Sequence, residues 1–201
     1  MVPDIADEQA ALGIDPSSKL ALARLGSLEI DAGRKDAALA PVEEHLANAD
    51  DDKPEWLMMK AELLARASDA EGALAAMKEA IALKSADATL LNARCWIKGT
   101  LAVELDSAVQ DCTRAVELTE NNTAELDSRA MVYFRLNRLE DALADLNAAL
   151  DRNPASPGSL YLRAVVEKKL GKTRDAAEDA ANARELAPRI DEEYVRWKIK
   201  A

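Results

Sequence analysis

Small apolar residues recur at nearly constant intervals along the chain. Ala38, Ala73, Ala108, Ala142 and Ala176 stand 34 or 35 residues apart. Seven residues after each come His45, Ala80, Ala115, Ala149 and Ala183, and twelve or thirteen before each come Gly26, Ala61, Cys95, Ala130 and Ala164. Larger apolar residues, among them Leu64, Met77, Tyr133, Leu146 and Leu150, lie between these columns. Alternating β-branched runs are missing, so the pattern predicts helices and not strands. A small side chain on each of two antiparallel helices lets them approach to about 8 Å, the short end of the usual range.

The interval is also visible in whole segments. Leu126-Asp127-Ser128-Arg129-Ala130 returns 34 residues later as Leu160-Tyr161-Leu162-Arg163-Ala164, and Pro154 returns as Pro188. Gly33 and Gly171 punctuate a turn between two helices, followed by Asp36 and Asp175, which suit a helix start. Pro16, Pro154 and Pro188 follow second helices, where proline stops a helix. A helix pair of this size cannot bury its apolar face alone and must stack on the next pair.

These columns resemble the tetratricopeptide repeat family, in which small residues, a turn glycine and a terminal proline recur with this period. The match is carried by Leu25-Gly26, Gly33, Ala38 and Asp15-Pro16 at the front. At the back it is carried by Ala130, Tyr133, Ala142, Ala149 and Pro154, then by Ala164, Gly171, Ala176, Ala183 and Pro188. The resemblance covers roughly residues 16–190 and implies an all-α, right-handed α-α superhelix (solenoid) of about five helix-turn-helix repeats plus end helices. The expected units are 19–53, 54–87, 88–122, 123–156 and 157–190. Residues 1–18 read as the second helix of an incomplete upstream repeat, which suggests the C-terminal part of a longer polypeptide. Residues 191–201 read as a capping helix with Tyr194, Val195 and Trp197, its lysines near the helix end. The alanine-rich style resembles bacterial arrays that follow other domains.

Three places depart from the repeat. His45 replaces alanine in a packing column and is expected to be a packed histidine that spreads the first unit. Pro41, inside the same helix, predicts a kink or a late helix start. The third unit has an extra residue over Lys98–Asp106, expected as a longer first helix or a looser turn. Cys95 and Cys112 are expected to be near neighbours across the third helix pair, read first as two small buried hydrophobes, with a disulfide as the alternative.

By family resemblance, the first helix of each unit lines the concave face. That places Met58, Met59, Trp96, Met131, Phe134 and Tyr161 along an apolar groove centre, flanked by Arg24, Arg66, Arg135, Lys168 and Lys169. Methionine adapts to a partner's shape, and aromatics and Arg are enriched at binding hot spots. The implied function is a protein–protein interaction scaffold binding a peptide or helix of a partner. The peptide-binding groove residues are Met58, Met59, Arg66, Trp96, Met131, Phe134, Arg135, Tyr161 and Lys168. The competing reading of these side chains is packing between adjacent first helices. The two-carboxylate clamp of some family members is not matched, because its places carry Ala23, Ser27 and Met59.

Composition narrows the function further. Asp and Glu outnumber Lys and Arg by 37 to 26, a formal net charge of −11, which argues against a nucleic-acid partner. No apolar run approaches the roughly 18–20 residues of a membrane helix, and the start has no signal-peptide pattern, so no membrane insertion is expected. The compartment stays open. The single histidine stands in a packing column, no nucleophile stands beside a base, and no Gly-rich phosphate loop occurs. No intrinsic catalysis, metal or cofactor is therefore expected. The alternatives are self-association through the N-terminal end, or service as the accessory C-terminal domain of a longer enzyme.

Overall fold

The computed structural model describes residues 4–15 and 17–201, and all regular structure among them is helical. Pro16, expected to end a helix, lies outside the described residues, as do residues 1–3 of the segment 1–18. By its internal contacts the chain divides into two compact units, Met1–Ala86 and Asp87–Ala201.

The first unit holds α1 (Ile5–Ile14), α2 (Lys19–Asp31), α3 (Lys35–Asn48), α4 (Lys53–Arg66) and α5 (Ala70–Leu83). Their starts are chemically marked. Asp4 and Asp7 form a reciprocal capping box, Ser18 and Asp69 accept from backbone N–H groups of α2 and α5, and Pro54 sits in the first turn of α4. Helix α2 packs on α1, α3 and α4, and α4 packs on α5. Leu22, Val42, Trp56, Met59 and Leu63 form a core cluster. At Gly26 a Cβ would come within 2.8 Å of the Leu63 side chain, so the smallest residue lets α2 and α4 close. His45 is packed as expected, stacking flat on Trp56 with ring centroids 4.2 Å apart. Pro41 lies inside α3, which starts at Lys35 ahead of the proline, so the expected late start does not occur.

The second unit holds α6 (Ala88–Leu101), α7 (Leu105–Leu118), α8 (Thr123–Arg135), α9 (Leu139–Arg152), α10 (Pro157–Lys169), α11 (Thr173–Leu186) and α12 (Ile190–Arg196). The pairs α6–α7, α8–α9 and α10–α11 are helical hairpins, and the first helices pack in series, α6 on α8 and α8 on α10. Cys95, Ala108, Ala115, Ala130, Ala142, Ala149 and Ala183 have no exposed surface, so in this unit the small columns lie inside the helix packing. Pro154 and Pro188 follow the ends of α9 and α11, as the sequence predicts.

All five hairpins turn in the same way. Gly33, Ser68, Ala102, Asn137 and Gly171 each have positive φ, and each is followed by a backbone N–H that reaches back five residues to the helix it leaves, as from Arg34 to Glu29 O and from Val103 to Lys98 O. Only two of the five are glycine. In the third hairpin Glu104 also has positive φ; α6 is one residue longer than α8 and α10 while the connection after each has three residues, so the extra residue falls to the helix. Ala102 at φ 56 carries the side-chain cost of a left-handed conformation. Ala102→Gly is expected to stabilise the protein by about 0.5–1 kcal/mol, read as a higher urea midpoint at unchanged m-value.

The expected capping helix is shorter than 191–201. It ends at Arg196, where Lys198 turns left-handed at φ 57 and Ile199 N–H donates to Tyr194 O at 3.1 Å. The chain leaves the helix at this turn and runs back over the first helices of its unit.

Candidate interaction face

The nine sequence-predicted groove residues divide between the units. In the first, Met58 is half-buried on α4, whereas Met59 belongs to the core cluster with Trp56 and Leu63. Arg66 is held on Asp31 by two hydrogen bonds of 2.9 and 2.6 Å and also donates to Ser27 O, so it ties α4 to α2. In the second unit, Met131 and Tyr161 have no exposed surface and are core residues. Met59, Met131 and Tyr161 are thus not open to a partner in this structure. They fill the seams between adjacent first helices, and Gly99, whose Cβ would lie 3.1 Å from the Met131 side chain, shows how close α6 and α8 come there. Trp96, Phe134 and Arg135 are half-buried, and Lys168 is exposed.

What covers Tyr161 is the chain's own end. The Tyr161 hydroxyl donates to Asp191 at 2.8 Å and accepts from Ala201 N–H at 3.2 Å. Its ring lies 4.4 Å from that of Tyr194. The Trp197 ring stands edge-on to Trp96 at 5.1 Å and to Tyr194 at 5.0 Å. Arg135 Nη2 donates to Trp197 O at 2.6 Å while its other bonds go to Gly99 O and Thr100 O. Ile199 is buried in the same cluster as Met131 and Tyr161. The structure therefore brings Trp96, Arg135 and Tyr161 together through a segment that the sequence places in a cap. Phe134 remains at the edge, with Lys169 Nζ and the Arg135 guanidinium 5.8 and 5.9 Å from its ring.

The electrostatics explain how these helices hold their positions. Arg94–Asp111, Arg129–Asp145 and Arg163–Asp179 are paired bidentate contacts, each joining the two helices of one hairpin. The arginine directly precedes the small residue of the first helix, and the aspartate lies three after that of the second. The signal is present in the sequence columns, but only the structure shows it to be a pair. Lys98 is buried beside the first of these pairs, bonded to Ser107 and Asp111 at 2.8 and 3.1 Å. In the first unit the corresponding places are Leu25 with Pro41 and Lys60 with Ala76, and Lys60 pairs instead with Glu43.

Asp127 on α8 faces the start of α10, beside Gly158 and Ser159. Its Oδ1 is buried without a hydrogen-bond partner, and burial pushes its carboxyl up to about 6 despite a bond from Ser159. Asp191, in contrast, is held down to about 2 by Arg184 and the Tyr161 hydroxyl. A carboxyl raised in the folded state adds stability below its ordinary value near 3.8, and this is lost as pH rises through about 6. Asp127→Asn is accordingly expected to be more stable than the parent by roughly 2 kcal/mol above pH 7 and equal to it below pH ~4. Thermal melts across that range check it, and a gap independent of pH would reject the assignment.

Cys95 and Cys112 are joined in a disulfide with Cα atoms 5.3 Å apart, which decides between the two readings of this pair in favour of the bond. Among the described residues no helix is long and apolar enough to cross a membrane.

With this geometry in view, the likeness to known proteins is direct. The family model described as tetratricopeptide repeat matches residues 24–88 and 128–190, more than half of the chain. No curated protein matches significantly. Among solved structures, a thermophilic TPR protein of Thermus thermophilus, TTC0263, is similar at 23% identity and TM-score 0.71, over 90% of this chain and 97% of that one. MamA (41-end) from Desulfovibrio magneticus is similar at 15% identity and TM-score 0.61, over 95% and 99%. YrrB, described as a TPR protein with an unusual peptide-binding site, is similar at 17% identity and TM-score 0.55, over 92% and 94%. At these identities the structures speak to the fold alone. The repeated small columns, the five alike turns and the family match lead to one conclusion: the chain belongs to the tetratricopeptide repeat family.

Proposed function

We propose that the chain is a protein-interaction scaffold that takes a peptide or helix of a partner on the face made by α6, α8 and α10. The fold supports a scaffold in general. The finer reading rests chiefly on one observation: Trp96 and Phe134, large rings on first helices, are only half-buried. Exposed Lys168 and Lys169 give that edge a positive rim. YrrB, a similar fold, is described as having a peptide-binding site, which favours the same class of ligand here. Met58 and Arg66, on the first unit, are secondary candidates. The test is selection of peptides from a random display library on the immobilised full chain. Peptides that bind it should lose at least tenfold in affinity for the Trp96→Ala/Phe134→Ala variant with its helical circular dichroism retained. Equal affinity would reject the face.

Self-association is a second reading, favoured by Ile14 and Leu20, which are 89% and 61% exposed near the start of the first unit. A constant monomer mass by light scattering up to tens of micromolar would exclude it.

A further inference from the structure

The segment after α12 lies against the first helices of its own unit. From Trp197 to Ala201 it has no regular structure, and its side chains alternate: Ile199 is buried and Trp197 and Ala201 are half-buried, while Lys198 and Lys200 are exposed. Trp197 and Ala201 meet different first helices. The Trp197 ring meets Trp96 of α6, and its carbonyl takes a hydrogen bond from Arg135 at the end of α8. Ile199 enters the core cluster, and Ala201 N–H donates to the Tyr161 hydroxyl of α10. An aromatic anchor, a backbone bond to a fixed guanidinium and an alternate aliphatic anchor are the parts by which an extended peptide is recognised. The capping role needs none of them, because Ile190 and Tyr194 of α12 already pack against the last hairpin.

We propose that residues 197–201 are a resident occupant of this face, and that the partner is an extended segment with the same two anchors: an aromatic residue, any residue, then an aliphatic one. Such a segment competes with the chain's own end, so the free protein is self-occluded and a partner is admitted by displacement. This rests on the reading of the face given above and adds to it the partner's pattern and the competition. The cost of displacement lowers the apparent affinity by the fraction of molecules whose face is open.

The test uses the full chain and a fluorescent synthetic peptide with the sequence of residues 189–201, followed by anisotropy. The Trp197→Ala/Ile199→Ala protein, its own anchors removed, should bind the peptide at least tenfold more tightly than the parent does. Adding Arg135→Ala should abolish the gain, and a peptide with the same two alanines should not bind. Equal binding by parent and variant overturns the competition. A second measurement needs no variant: in the parent, millimolar peptide should speed hydrogen exchange at the Ile199 and Ala201 amides, and unchanged exchange also overturns it. Concentration-dependent dimers built by exchange of this end would make a second copy the occupant and overturn the choice of partner. If library peptides bind parent and tail variant equally, the scaffold reading stands and this proposal fails; if no peptide binds either protein, both fail.

Discussion

Removing the Cys95–Cys112 bond is expected to lower the stability of the second unit by about 3 kcal/mol. The bond spans 17 residues and joins α6 to α7. A loop of that size restricts the unfolded chain by about 3 kcal/mol in the chain-entropy model. Both sulfurs are fully buried, so reductant should act only through opening of the hairpin. The measurement is urea unfolding of the Cys95→Ala/Cys112→Ala protein against the oxidised parent, followed by hydrogen exchange over residues 87–201. The signal should be confined to slowly exchanging amides of that unit, because a chain of two units need not unfold in one step. Identical protection in oxidised and reduced parent would show that the tie contributes nothing. Thiol labelling in denaturant, which should find no free sulfhydryl before reduction, checks the bond itself.

Arg129→Met should cost about 3–4 kcal/mol, the largest effect of any single side chain in the ladder of ion pairs. Asp145 is only 7% exposed, and both its oxygens take hydrogen bonds from Arg129 at 2.7 Å. Deleting the cation leaves a buried carboxylate with no counter-charge, and the penalty is that of stranding it. Arg129→Met/Asp145→Leu should therefore recover most of the loss, since well-packed apolar residues replace buried pairs at little cost. Arg114→Ala makes the control. Its partner Glu117 and Arg114 itself are each 57% exposed, so the change should fall below about 1 kcal/mol. A double variant no more stable than Arg129→Met would mean that the pair is not what fixes α8 against α9.

The period of small residues is enough to read the fold class, because close helix packing leaves its mark at every repeat. Turns are legible only where glycine stands. Ser68, Ala102 and Asn137 adopt the same left-handed conformation as Gly33 and Gly171, but their residue types do not advertise it. The site is harder. Trp96, Phe134 and Arg135 do lie on first helices, yet which face of a helix is free depends on what later returns to cover it. Tyr161 and Met131, expected in an open groove, are buried: Met131 fills the seam where α6 meets α8, and Tyr161 is covered by Asp191, Tyr194 and Ala201 after the turn at Lys198. That turn depends on tertiary packing around Tyr194 and Ile199, which no local pattern reveals. The Arg–Asp ladder is readable in principle, since both columns repeat with the same period as the alanines.

The covalent tie also shows what a repeating backbone makes portable. Ala164 and Ala180 hold in the last hairpin the places that Cys95 and Cys112 hold in the third, and both are buried. Elsewhere the second place is filled by Val42, Met77 or Leu146, side chains that lock the hairpin by bulk. One architectural joint is thus filled in three ways: a bond, a large side chain or a pair of alanines.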